Sequence, residues 1–210
     1  MPASRIDHLV LACADLAQGA RFVRERFGVE PQPGGKHPAM GTHNALLSLG
    51  PRQYLELIAI DPEGRATRPR WFGLDTLPVR ERIARAPVLL TWVAACDDIA
   101  AAAVLASDCG EVIAASRGAF SWRITVPADG RLDMEGVAPT LIQWDGDAHP
   151  GDGLADRGCA LRQLRLTHPQ PQRLEGLLAA LQLDGPIRID GGAAALAATI
   201  ATPRGPVELG

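Results

Sequence analysis

Residues 5–28, RIDHLVLACADLAQGARFVRERFG, decide how the rest of the chain is read. The first half is an apolar run with strand alternation. His8, Val10 and Ala12 fall on one face and Asp7, Leu9 and Leu11 on the other. Asp15 then stands where a helix N-cap belongs, and Gly28 stands where a left-handed C-cap belongs. Between them Leu16, Ala20, Val23 and Phe27 recur at helical spacing. The stretch returns at residues 88–107 as VLLTWVAACDDIAAAAVLAS, with Asp98 matching Asp15, Ile99 matching Leu16 and Cys96 matching Cys13. The offset is 83 residues throughout (98 − 15), which places Thr91 where the first copy has His8. Such self-similarity weighs more in a fold assignment than any short motif.

Working outward, the first copy continues into VEPQPGGKHPAMG, read as a short edge strand and a loop, with Gly34–Gly35 as turn chemistry. THNALLSLG and QYLELIAI follow as a hairpin. Residues 1–60 therefore form a βαβββ unit and 61–87 a polar connector with a short helix near Leu77–Arg85. Residues 88–147 form a second βαβββ unit and 148–157 a flexible linker. Residues 158–210 form a partial third βαββ unit. The expected fold class is α+β, with paired βαβββ units forming a half-open, barrel-like cup plus a C-terminal partial unit.

Composition narrows the function classes. Hydrophobic residues make up 47% and charged residues 21%, as in a globular domain. A net charge of −3 offers no basic footprint for nucleic acid. No apolar run approaches the ~18 residues of a membrane span, and MPASRID lacks a signal-peptide pattern, so a cytoplasmic protein is expected. Cys13, Cys96, Cys109 and Cys159 are too scattered for a zinc motif or a disulfide framework. No GxSxG, HExxH or phosphate-binding glycine motif is present.

Glu56 is the most informative residue, because YLELIAI is otherwise apolar. A carboxylate there must be paired, hydrogen-bonded, protonated or exposed at an edge. His8 gains interest if the two face each other, as metal ligands or as an acid–base pair. Either His43 or Asn44 can point inward, because neighbours on a strand face opposite sides. Trp71, which follows Arg68 and Arg70, caps the core or forms a lid with an arginine for an anionic substrate. His149 and His168 precede prolines and read as turn residues; Trp144 reads as core.

The stretches IDHLVLACADL, HPAMGTHNALLSLG, YLELIAIDP, RPRWFGLD and PTLIQWDG resemble the glyoxalase-like domain proteins of the vicinal oxygen chelate superfamily. In metal-dependent relatives each unit supplies one ligand from its first strand and one from its last. Carried over, the resemblance implies His8 and Glu56 from the first unit, and Thr91 and Gln143 from the second. The first pair fits a divalent metal ion, the one cofactor implied, whereas neutral Thr and Gln are weak ligands. Two functions remain open, besides a purely structural member whose cup is filled by its own side chains. One is an enzyme of lyase, isomerase or dioxygenase type on a small oxygen-rich substrate, with catalytic Glu56 and His8 and with His43, Asn44, Trp71, Thr91 and Gln143 touching substrate. The other is a non-catalytic small-molecule binding protein of the bleomycin-resistance type. Either acts as a monomer or homodimer.

Overall fold

The computed structural model describes residues 3–210; Met1 and Pro2, part of the stretch read for a signal pattern, lie outside it. The first unit comprises β1 (Ser4–Ala12), α1 (Leu16–Phe27), β2 (Gln32–His37), β3 (Thr42–Gly50) and β4 (Gln53–Ile60). Helix α2 (Leu77–Arg85) lies in the connector. The second unit comprises β5 (Val88–Cys96), α3 (Ile99–Leu105), β6 (Glu111–Arg117), β7 (Phe120–Val126) and β8 (Thr140–Trp144). The third region holds β9 (Ala160–His168), α4 (Pro171–Ala180), β10 (Leu183–Asp184), β11 (Ile187–Gly191), β12 (Ala195–Thr202) and β13 (Gly205–Leu209).

Local chemistry sets the helix ends. Asp15 accepts from the Gln18 amide at 2.7 Å and Asp98 from the Ala101 amide at 3.1 Å, as N-caps do. Gly28 closes α1 in the left-handed conformation, at φ 77°.

The two units share one curled sheet in the order β2-β3-β4-β1-β5-β8-β7-β6. The seam is the antiparallel pair β1–β5, while β1–β4 and β5–β8 are parallel. Each half is thus the topological counterpart of the other about the seam. Val10, Ile58, Val93, Ile142 and Ile124 face the concave side, where Met40, Trp71, Phe72 and Leu74 pack over them. Leu9, Leu11, Leu55 and Leu57 face the convex side and share one core with α1, α3, β9 and β12. Burial on both faces explains why β1 and β4 read as nearly unbroken apolar runs.

The C-terminal region forms its own sheet, β11-β9-β12-β13, and also lends β10 to β1 as a parallel neighbour. It covers the convex face rather than the open side of the cup. The Gly34–Gly35 pair lies within β2, not in a turn. A Cβ on Gly34 would sit 2.0 Å from Asn44 Oδ1, and one on Gly35 would sit 2.6 Å from Arg117 Cδ. Both glycines therefore make room for side chains of the cup. The 148–157 stretch, expected to be flexible, is anchored. Arg52 binds Asp152 at 3.0 Å and also donates to the Asp147 carbonyl, and Pro150 is buried.

Two helix glycines give opposite expectations. A Cβ on Gly19 would lie 2.5 Å from Cys13 Sγ and 3.1 Å from Leu57 Cδ2, where α1 meets the sheet. Gly19→Ala is expected to destabilise by about 1–3 kcal/mol through overpacking. Gly176 in α4 meets nothing within 4 Å, so Gly176→Ala should stabilise by about 0.5–1 kcal/mol. Urea denaturation of both variants checks the contrast.

Candidate functional site

The polar residues of the concave face converge at the seam, and a β-bulge arranges them. In the β1–β5 ladder Ile6 pairs with Ala94 and His8 with Val93, leaving Asp7 as an extra residue. The bulge reverses the facing that simple alternation gives to this end of β1. Ile6 joins Leu9 and Leu11 in the outer core, while Asp7 meets groups of the cup. Asp7 and His8 were expected on opposite faces; here they are hydrogen-bonded neighbours, Asp7 Oδ1 to His8 Nδ1 at 2.6 Å.

Asp7 is 1% exposed. Its Oδ2 accepts from Trp144 Nε1 at 2.9 Å and from His149 Nε2 at 3.0 Å. His149 Nδ1 in turn accepts the Gly151 amide at 2.9 Å, which leaves the proton of a neutral ring on Nε2. Burial pushes the Asp7 carboxyl up, but hydrogen bonds from His149 and His8 outweigh it and hold it well below the usual carboxylate range. Asp7 is therefore an anion that fixes a proton on His8 Nδ1. Trp144 and His149, read from sequence as core and turn residues, are its other two partners.

Glu56, on the neighbouring strand β4, is buried. Its Oε1 accepts from Asn44 Nδ2 at 2.6 Å, and its Oε2 lies 3.6 Å from His8 Nε2. Tyr54, two residues before Glu56, stacks on the His8 ring with centroids 4.6 Å apart. Because Asp7 holds the Nδ1 proton, His8 Nε2 and Glu56 Oε2 would meet as two acceptors unless one carries a proton. At 3.6 Å the two atoms face each other just beyond direct hydrogen-bonding distance.

The far side of the cup is closed by Arg117, at the end of edge strand β6. Its Nη1 donates to Asn44 Oδ1 at 2.9 Å and lies 3.1 Å from His37 Nε2. Asn44 Oδ1 also accepts the Gly35 amide at 2.9 Å, so the amide orientation is set by its partners. Since guanidinium can only donate, His37 Nε2 accepts and the ring is neutral. Burial, with the positive charge of Arg117 adding to it, pushes His37 down to about 4 despite the raising effect of Glu56. Arg117 has no carboxylate within ion-pairing distance among the described residues. Sequence reasoning missed Arg117; the alternation Ile113, Ala115, Arg117 in β6 was the available signal.

The structure gathers His8, Glu56, Asn44 and Trp71 around one space of about 30 Å³, together with His37, Tyr54 and Arg117. It does not bring Thr91, Gln143 or His43 there. Thr91 Oγ1 donates to the Gly136 carbonyl at 3.0 Å. Gln143 caps the start of α3, accepting from the Ile99 amide at 2.9 Å and donating to the Asp97 carbonyl at 2.8 Å. His43 shares the face of Ala45 and Leu47, residues of the outer core. The arginines beside Trp71 are engaged elsewhere, Arg68 with Glu111 and Arg70 with Asp75. Phe72, next to Trp71, holds φ 60°, a left-handed conformation that is strained for an aromatic residue.

This donor set does not fit a divalent ion. Among the described residues no three His, Cys, Asp or Glu side chains group as metal ligands. His8 and Glu56 offer two donors, and the two positions that would complete a four-ligand set are spent on Gly136 and α3. Hard divalent cations take about six ligands.

The state of His37 has a pH consequence. Its pKa falls from 6.5 to about 4 on folding, so between these values the unfolded chain binds the extra proton. Stability should therefore be complete above pH ~6.5 and decline as pH falls towards 4, by on the order of 3 kcal/mol. Asp7 adds a loss of the same sign at more acidic pH. Denaturation midpoints across this range should flatten in His37→Gln.

A family model described as a glyoxalase-like domain matches residues 6–182. No curated protein matches the chain. Among solved structures, a hypothetical protein from Staphylococcus aureus is 16% identical, with 91% of this chain and 87% of that chain covered and a TM-score of 0.58. Methylmalonyl-CoA epimerase from Streptomyces coelicolor, as a variant in complex with 2-nitronate-propionyl-CoA, is 22% identical (70% and 98% covered, TM-score 0.43). The epimerase from Mycobacterium tuberculosis is 18% identical (68% and 88% covered, TM-score 0.43). With its match extending from β1 through α4, the chain belongs to the glyoxalase-like domain family.

Proposed function

We propose that the protein is an enzyme that moves a proton at a carbon next to a carbonyl in a small oxygen-rich substrate, an isomerase- or lyase-type reaction, without a metal ion. The observation that carries this reading is the buried chain Asp7–His8–Glu56, at 2.6 Å and 3.6 Å, whose end opens on the cup. In the proposed step His8 carries a proton on Nε2 and Glu56 Oε2 is the base. It takes the proton from the substrate carbon, and the C–H electron pair moves into an enolate. Arg117 offsets the charge on the enolate oxygen. His8 Nε2–H then returns a proton to the oxygen or to the adjoining carbon. Asp7 is a positioning residue, because it sets the tautomer and the ring plane of His8. The two βαβββ units complete this cup within one chain, which suits a small-molecule partner and a monomeric or homodimeric protein. No helix among the described residues is long and apolar enough to cross a membrane, which accords with a cytoplasmic setting.

The binding-protein alternative calls for a cup that accepts a bulky ligand. The space at the polar cluster, about 30 Å³, must widen for a substrate as much as for such a ligand, so proton exchange, not volume, separates the two readings.

Exchange of α-protons for deuterium, followed by NMR across small 2-oxo and 2-hydroxy acids, tests the proposal. Glu56→Gln should slow exchange by about 10²–10⁴-fold. Wild-type exchange that is lost to a chelator and restored by a divalent cation would overturn the metal-free reading. Ligand binding with no exchange on any acid would favour the sequestering protein.

Asp7→Asn keeps acceptors for Trp144 and His149 but presents an amide N–H to His8. The flipped tautomer should lower kcat by about 10²-fold or more with a native circular dichroism spectrum. Unchanged kcat would remove Asp7 from the mechanism.

A further inference from the structure

Outside the polar cluster lies a groove of about 310 Å³ between the short helical turn Pro38–Met40 and strand β6, at the low end for small-molecule sites. Its walls include His37, Met40, Trp71, Ile113, Ala115 and Trp122, and no charged side chain among the described residues lines it. Three of these, His37, Trp71 and Trp122, also wall the space at Glu56 and His8. The groove and the cluster are therefore separated by a single layer of side chains.

Strand β6 supplies a further clue. Ile113, Ala115 and Arg117 alternate along one face, with Ala115 opposite Trp122 and Ile113 opposite Ile124 in the β6–β7 ladder. The row runs from apolar, through small, to cationic. At its cationic end the guanidinium has no carboxylate partner among the described residues. On the facing wall, Trp71 is 4% exposed and its Nε1 is buried with no acceptor among the described residues. A buried indole N–H without a partner is costly, and a ligand oxygen would satisfy it.

We infer that the groove is the tail subsite of the enzyme and that its occupant is an amphipathic 2-oxo or 2-hydroxy acid. Its carboxylate meets Arg117, an oxygen accepts from Trp71 Nε1, and a short alkyl chain or ring lies along Ile113 and Ala115. This assignment rests on the proposed proton transfer only for placing the reacting carbon beside Glu56. The carboxylate end follows from the unpaired guanidinium and the apolar tail from the walls. Arg117 suits the head because a planar guanidinium grips a carboxylate through paired hydrogen bonds. The row on β6 sets a substrate preference for chain length.

Calorimetric binding to Glu56→Gln protein, which removes the proposed base, separates this inference from the fate of the reaction. The probes are straight-chain 2-oxo acids from pyruvate to 2-oxooctanoate, with alkyl alcohols of matching length as uncharged controls. Affinity should rise about four-fold per methylene until the groove fills. Ala115→Trp should abolish that rise and leave pyruvate unaffected. Ile113→Ala, which enlarges the same wall without adding bulk, should extend the rise to longer chains and keeps the test open if Ala115→Trp does not fold. Arg117→Met should weaken every acid about ten-fold or more and leave the alcohols unchanged. Affinity independent of chain length, alcohols binding as tightly as acids, or an unaltered slope in Ile113→Ala would each overturn the subsite. A rising slope with no α-proton exchange in the wild type would retain the subsite and reject the reaction.

Discussion

Asp7 is a carboxylate almost wholly withdrawn from water, and three side chains donate to it. Removing such a group from water costs several kcal/mol, so it persists only where its partners are fully assembled. Those partners come from three places: His8 from its own strand, Trp144 from the last strand of the second unit, and His149 from the stretch that leads to the third region. The anion therefore ties both halves of the curled sheet to the segment beyond them. Remove the charge, and the tautomer of His8, the anchorage of His149 and the closure at Trp144 lose their common acceptor.

The remaining cup geometry extends from that anchor. His8 faces Glu56, Glu56 is held by Asn44, and Asn44 is held by Arg117 and the Gly35 amide. His8, Glu56 and Asn44 are buried, and in such a low-dielectric interior a satisfied polar chain is rigid and a broken one is expensive. Two glycines in β2 are part of this chain, since any side chain there would displace Asn44 or Arg117. The left-handed Phe72 beside Trp71 belongs to the same economy of space, because the connector must turn sharply to lay both aromatics on the concave face.

The two halves share a topology but not a chemistry. In the first half the first and last strands bring His8 and Glu56 together. In the second, the corresponding strands use Thr91 to hold the Gly136 carbonyl and Gln143 to cap α3. The contribution of the second half to the polar cluster comes instead from its edge, through Arg117, and from Trp144. The cup is therefore asymmetric, with a carboxylate–imidazole pair on one side and a lone guanidinium on the other.

The helix caps, the succession of elements within each unit, the helix at Leu77–Arg85 and the oddity of a carboxylate at Glu56 were legible in the sequence. Each depends on residues within a few positions of one another: Asp15 and Asp98 cap through amides three residues on, and Glu56 follows the simple alternation of β4. What alternation cannot express was decided by tertiary structure. The extra residue in β1 put Asp7 beside His8, because the ladder with β5 required it. The choice between His43 and Asn44 was settled by which face of β3 meets the outer core. Arg117 entered the site because closing an eight-strand path into a curl brings its edge strand β6 near β2 and β3, residues some 70–80 positions away in the chain. Periodicity is a property of one strand, whereas a bulge, a facing and a closure are properties of the pairing between strands.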